Sequence, residues 1–212
     1  MGRFLDLEGV DAVVFDCDGV LVDTEPVSEW VWRTTLEAHG IDMGPDFAVW
    51  IGTTDQGIAV RFGAAAGMSP ARLADENARA FVDRLEEVGI EVFEDAVAAV
   101  EKTRAAGLGL AVATNSESWR LQAILEAANL AGLFEIAVTS DDVARPKPAP
   151  DIYVEVAARL GIEPSRVVVV EDSPTGVAAA RSAGMRVVAV DRGVFEADQL
   201  APATRVVTRL TP

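Results

Sequence analysis

The chain is poor in the side chains from which many active sites are built. His39 is its only histidine, which excludes a histidine-based triad and any multi-histidine metal site within one chain. Cys17 is its only cysteine, so there is no internal disulfide and no thiolate zinc cluster, and a reducing compartment is expected. Lysines number only two, Lys102 and Lys147, among 18 basic residues. Positive charge as a whole is scarce: 34 acidic residues leave a formal net charge of −16, which makes nucleic acid and anionic membranes poor partners. Long hydrophobic runs are missing as well. Met1–Val10 alternates charged and apolar residues, so neither a signal peptide nor a transmembrane segment is expected, and the protein is expected to be a cytoplasmic monomer.

What is present is apolar and periodic. Half of the 212 residues are hydrophobic, enough for one sizeable core or for a core with a small appended domain. Short β-branched runs recur at Val10–Phe15, Leu108–Ala113, Ile136–Val138, Val167–Val170 and Val187–Val190. Runs without polar alternation suit strands covered on both faces, as in a parallel sheet. Helical patterns lie between the later runs: Glu94–Ala106, Ser118–Ala128, Pro150–Leu160 and Pro174–Ala183, two of them opened by proline and three closed by glycine. This alternation predicts an α/β, doubly wound parallel sheet. Roughly 90 residues separate the first run from the second, too many for a normal crossover. That interval reads as helical over Thr24–Ala38, about Thr54–Ala66, and Ser69–Val88. A small helical domain over 23–91, inserted into a core made of 1–22 and 92–212, is therefore expected, with Trp30, Trp32 and Trp50 in its own core.

In an open parallel sheet, ligands bind beyond the carboxyl ends of the strands. The first run ends in Asp16-Cys17-Asp18-Gly19, the second in Thr114-Asn115-Ser116, and the fourth in Glu171-Asp172-Ser173. The loop after the third carries Arg145-Pro146-Lys147-Pro148. Four acids, a hydroxyl and one of only two lysines thus converge on one rim. Clustered carboxylates repel one another and have raised pKa values unless a cation intervenes, and Mg2+ prefers carboxylates plus a phosphate oxygen. A lysine and such an ion would offset the charge of a phosphoryl group, which a carboxylate can attack to give an acyl phosphate. The blander readings are turn and cap residues: Asp16 and Asp18 as turn formers, Ser116 or Ser118 as a helix N-cap, Glu171 and Asp172 as caps of the Pro174 helix.

Taken together, "VFDCDGVLVDTEP", "VATNS", "RPKPAPDIY" and "VVVVEDSPTGVAAARSAGM" resemble the motifs of the haloacid dehalogenase superfamily, in order and at similar spacing. The likeness is to its phosphatase and phosphomutase branch, with a Rossmann-like core and a helical cap after the first strand, and it covers nearly the whole chain. The resemblance implies Asp16 as nucleophile and metal ligand, and Asp18 as general acid and then base, its backbone carbonyl also on the metal. It implies Thr114, with the backbone around Asn115, on the phosphate. It places Lys147 against Asp16 and the phosphate, and has Glu171 and Asp172 complete an Mg2+ site. Gly52 and Thr53, in the expected cap loop, would face the substrate.

The superfamily's dehalogenases lack the second aspartate, which this chain keeps as Asp18. Its phosphonoacetaldehyde hydrolases need a cap lysine, and none occurs between Met1 and Val100. The β-phosphoglucomutase-like branch carries a histidine where this chain has Ser28, and basic residues where it has Ile51 and Asp55. Hydrolysis of a small phosphate monoester, a sugar phosphate or a phosphoglycolate-like molecule, is the expected activity. A sugar phosphomutase is the alternative. A non-catalytic phosphate or metal sensor is more remote, because it would not need Asp18. No arginine follows Cys17 at the spacing of a phosphatase thiolate loop, so Cys17 is expected to pack beneath the site. His39 is expected to sit at a helix C-terminus.

Overall fold

The computed structural model describes residues 8–51 and 53–210. Its parallel sheet has six strands: β1 (Ala12–Phe15), β4 (Gly109–Ala113), β5 (Ile136–Val138), β6 (Val167–Glu171), β7 (Arg186–Val190) and β8 (Arg205–Val207). A separate antiparallel pair is formed by β2 (Val22–Asp23) and β3 (Glu91–Val92). The helices are α1 (Glu25–Ala38), α2 (Asp55–Phe62), α3 (Pro70–Val88), α4 (Glu94–Ala105), α5 (Ser118–Ala127), α6 (Asp151–Leu160), α7 (Pro174–Ser182) and the one-turn α8 (Ala197–Leu200). The sheet order is β5-β4-β1-β6-β7-β8. The chain thus winds outward from β1 on one side, returns, and winds out on the other, which leaves a crevice at the carboxyl ends of the central strands.

Register fixes what stands at that crevice. Phe15 pairs with Val112 on one side and Val170 on the other. Asp16, one residue further, therefore emerges beside Ala113 and Glu171, and its N–H still bonds to the Val170 carbonyl at 2.9 Å. The strands are covered on both faces, as their unbroken apolar runs predict. Val13, Phe15, Val112 and Val170 pack beneath α4 and α5. Ala12, Val14, Ala111 and Val169 pack beneath α6 and α7, against Ile152, Tyr153 and Val177. Proline at the start and Ser173 at the N-cap open α7, where the serine hydroxyl accepts the Gly176 N–H at 3.1 Å.

Helices α1 to α3, with Phe47 from the segment between α1 and α2, build a third apolar cluster from Trp32, Leu36, Phe47, Ile58, Phe62 and Leu73. Trp32 is fully buried there and Trp50 packs against it, but Trp30 is 42% exposed and lies instead under the Arg84 guanidinium, 4.3 Å from its ring centroid. His39 is the C-cap of α1, with Nε2 3.0 Å from Glu76. Neither Ser116 nor Ser118 caps α5: Glu117 holds the N-cap position, and the Ser118 N–H donates to the Asp141 carboxylate at 2.9 Å from across the sheet edge. Edge strand β8, the β2–β3 pair and α8 lie outside the sequence expectation. They are too short or too exposed to carry an apolar run.

Candidate active site

Lys147 is the hub of the crevice. Though it sits in a proline-flanked loop, its side chain is buried, and its Nζ donates to Asp16 at 2.5 Å, to Glu171 at 2.7 Å and to the Ala113 carbonyl at 2.9 Å. The loop is held by Asn115, whose side-chain oxygen accepts the Lys147 N–H at 2.8 Å and whose amide nitrogen donates to the Lys147 carbonyl at 3.1 Å. Sequence reasoning assigned Asn115 through its backbone; its side chain has this further task.

Glu171 is fully buried and fully engaged. One oxygen accepts from Lys147 and from the Tyr153 hydroxyl at 2.9 Å. The other accepts, each at 3.0 Å, from the Asp172 and Ser173 N–H groups and from the Ser173 hydroxyl. Burial alone would raise its pKa, but the Lys147 ammonium and these hydrogen bonds outweigh burial and hold it lowered. Asp16 and Asp172 are pushed well above the ordinary carboxylate value, chiefly by burial; Lys147 opposes the rise, while neighbouring acids add to it. One buried ammonium cannot neutralise two buried carboxylates and the half-buried Asp172 beside them.

That imbalance is what a cation site looks like. Asp16, Glu171 and Asp172 each offer a carboxylate oxygen, all within 4.8 Å of one another. The donors are hard oxygens, and no hydrogen bond from the described residues reaches the Asp172 carboxylate, so the set fits a hard divalent ion such as Mg2+. The Asp18 carboxylate stands outside this set.

Asp18 instead accepts from three hydroxyls: Thr24 at 2.9 Å on one oxygen, Thr114 and Ser116 at 3.0 Å each on the other. Thr114, expected to be free for phosphate, is therefore engaged with Asp18. Asp16, Asp18, Thr114, Asn115, Lys147, Glu171 and Asp172 all line one cavity of about 730 Å3, which Thr53 also lines. Gly52 lies outside the described residues. Cys17 is buried beneath the site, and burial, with Asp18 and Asp16 nearby, pushes its thiol pKa up.

Residues 10–184 match the family model of the haloacid dehalogenase-like hydrolases. The chain belongs to that family. Over 204 residues it is 30% identical to protein CbbY of Rhodobacter capsulatus, covering 91% of this chain and 90% of CbbY. It is 34% identical to a phosphorylated carbohydrates phosphatase of Thermotoga maritima, over 83% of this chain and 82% of the relative. Among solved structures, CbbY from Rhodobacter sphaeroides in complex with phosphate superposes with a TM-score of 0.86 at 27% identity, over 95% of both chains. A variant of the same protein was solved with xylulose-(1,5)bisphosphate. This haloacid dehalogenase-like hydrolase is an enzyme, and its relatives with stated activities include several phosphatases.

Among the cavity-lining residues that the sequence reading did not single out are Glu25 and Arg120. Glu25, at the start of α1, has its pKa raised to about 7 by burial, with Asp18 and Asp23 adding to the rise. Arg120 is buried on α5, four residues before buried Ile124 and so on the same helix face. An arginine in an apolar stripe was the available signal for it.

Proposed function

We propose that this enzyme hydrolyses a small phosphate monoester, a sugar phosphate or a phosphoglycolate-like molecule, with Asp16 as nucleophile. The observation that carries the reading is the Asp16 carboxylate held by Lys147 in a cavity that also presents a second, differently bonded acid, Asp18. The two acids suit two roles. Asp16 attacks phosphorus, a new P–O bond forms, and the ester P–O bond breaks to leave an aspartyl phosphate. Asp18 delivers its proton to the departing alkoxide oxygen. It then takes a proton from the water that attacks the phosphorus, which releases inorganic phosphate, frees the Asp16 carboxylate and returns Asp18 to its protonated form. Lys147 fixes the direction of the Asp16 carboxylate and offsets phosphoryl charge. Thr114 and the backbone at Asn115 are positioned to bond phosphate oxygens once the Thr114 hydroxyl leaves Asp18.

An Mg2+ ion held by Asp16, Glu171, Asp172 and the Asp18 carbonyl would supply charge neutralisation for the phosphoryl oxygens. Residues 23–91 act as a cap over the site in this reading, with Thr53 and Gly52 in the loop that meets the substrate. In support, the two connections, near 20–24 and 90–93, run side by side where Val22 pairs with Val92. A paired hinge suits closure that excludes bulk water during attack. Relatives that act on phosphorylated carbohydrates, hexitol phosphates and fructose 1-phosphate favour a phosphorylated carbohydrate.

The test is phosphate release, with Mg2+, from a panel of small phosphate esters, alongside the Asp16→Asn variant. Release by the wild type and none by the variant supports the proposal. Rearrangement of a sugar phosphate without release would replace it with a phosphomutase.

A further inference from the structure

Three cationic side chains line the cavity among the described residues: Lys147, Arg120 and Arg192. Each is already paired with a carboxylate of this chain. Lys147 holds Asp16 and Glu171, and Arg192 makes a two-pronged contact with Asp95 at 2.9 and 3.1 Å. Arg120 donates to Asp55 at 2.9 Å and to the Ser28 hydroxyl at 2.6 Å, with its guanidinium 3.7 Å from the Phe81 ring centroid. The second Asp55 oxygen accepts the Trp32 indole N–H at 2.8 Å, so Asp55 is fixed from both sides. The arginine and its partner both line the cavity, on the wall formed by α1, α2 and α5.

An anion approaching Arg120 therefore meets Asp55 first. To use Arg120 it must displace Asp55, which would leave that half-buried carboxylate without its cationic partner and beside a like charge. We infer that Asp55 is a specificity determinant: by holding Arg120, it restricts the enzyme to esters whose only anionic group is the phosphate being removed. The inference rests on the phosphatase reading and narrows its substrate class. Hydroxyl groups are the partners such a wall favours, because Glu25 and Asp55 accept hydrogen bonds, while Trp32, Phe47 and Ile58 offer an apolar face to carbon. A phosphorylated neutral sugar or polyol meets these conditions. A bisphosphate, or a phosphorylated hydroxy acid with its carboxylate, does not.

The test compares phosphate release from a ketohexose monophosphate and from the bisphosphate of the same sugar, in wild type, Asp55→Asn and Asp55→Asn/Arg120→Met. The wild type is expected to favour the monophosphate in kcat/KM by roughly tenfold or more, the scale of a like-charge penalty. Asp55→Asn keeps an acceptor for Trp32 but releases Arg120, so the preference should narrow several-fold, and the added Arg120→Met should restore it. A purely structural role for Asp55 would lower both kcat/KM values alike. Equal or better use of the bisphosphate by the wild type overturns the inference, and this measurement requires no folded variant. An unchanged ratio in an Asp55→Asn enzyme that still turns over also overturns it, with the phosphatase reading intact. No release from any ester by the wild type overturns that reading and the inference with it.

Discussion

Glu171 keeps a buried charge because neighbours on three sides donate to it, and one of those sides is backbone. That arrangement depends on Gly176: a Cβ there would fall 1.6 Å from a Glu171 oxygen. Gly176→Ala should move Glu171, loosen Lys147, and destabilise the fold by about 1–3 kcal/mol, the usual cost of overpacking. Chemical denaturation measures the stability loss, and phosphate release should fall in parallel. Gly19 has a double reason to be glycine, with φ +78° and a Cβ position only 1.9 Å from Asp172. Asp16→Asn is the opposite kind of change, since the amide fills the same space. It should abolish turnover while leaving the circular dichroism spectrum unchanged. Residual activity at the wild-type level would rule out Asp16 as nucleophile.

Between elements, a few polar groups tie loops whose positions the helices and strands do not fix. Asn115 joins the end of β4 to the Lys147 loop by two hydrogen bonds. Asp95 does the same at the other end of the crevice, linking the start of α4 to Arg192 beyond β7 and accepting the Leu210 N–H at 2.8 Å. Burial alone would raise Asp95, but the Arg192 hydrogen bonds and the backbone donors outweigh it, so its pKa lies below the ordinary 3.8. The unfolded chain therefore takes up this proton more readily than the folded one. Its contribution to stability is complete above 3.8 and is lost as pH falls through the lowered value. Asp95→Asn should unfold at a lower temperature than wild type at neutral pH, with the gap closing in strong acid. A gap that stays constant with pH would show that the charge of Asp95 does not matter.

For the molecule as a whole, the doubly wound sheet gathers at one rim three clustered acids, two of them buried, for which it supplies a single buried lysine. Removing the repulsion that remains is work for a bound cation, which should stabilise the folded state in proportion to its occupancy. Mg2+ is expected to raise the melting temperature of the wild type, and chelation to reverse both the shift and the activity. Asp172→Asn should melt at a temperature insensitive to Mg2+. A wild-type melting temperature indifferent to the ion would count against the proposed site, whatever the kinetics show. No helix among the described residues is long and apolar enough to cross a membrane.

Unbroken valine-rich runs determined the buried parallel strands, because only a sheet covered on both faces hides both sides of each strand. Proline starts and glycine stops marked the core helices to within a residue or two. The strand-end motifs named the family, and with it the acids and the lysine of the crevice. These signals are local, so one sequence suffices for them. Pairings between distant segments are not local, and tertiary structure alone decided them. Arg120 meets Asp55 across 65 residues, Asn115 grips Lys147 across 32, and Asp141 caps α5 from 23 residues away. Trp30 and Trp32 look alike in sequence, yet helix rotation sends one into the core and leaves the other exposed. Edge strand β8 stayed hidden because an exposed strand needs no apolar run. Which donor satisfies which acid depends on distances that exist only once the chain has closed on itself.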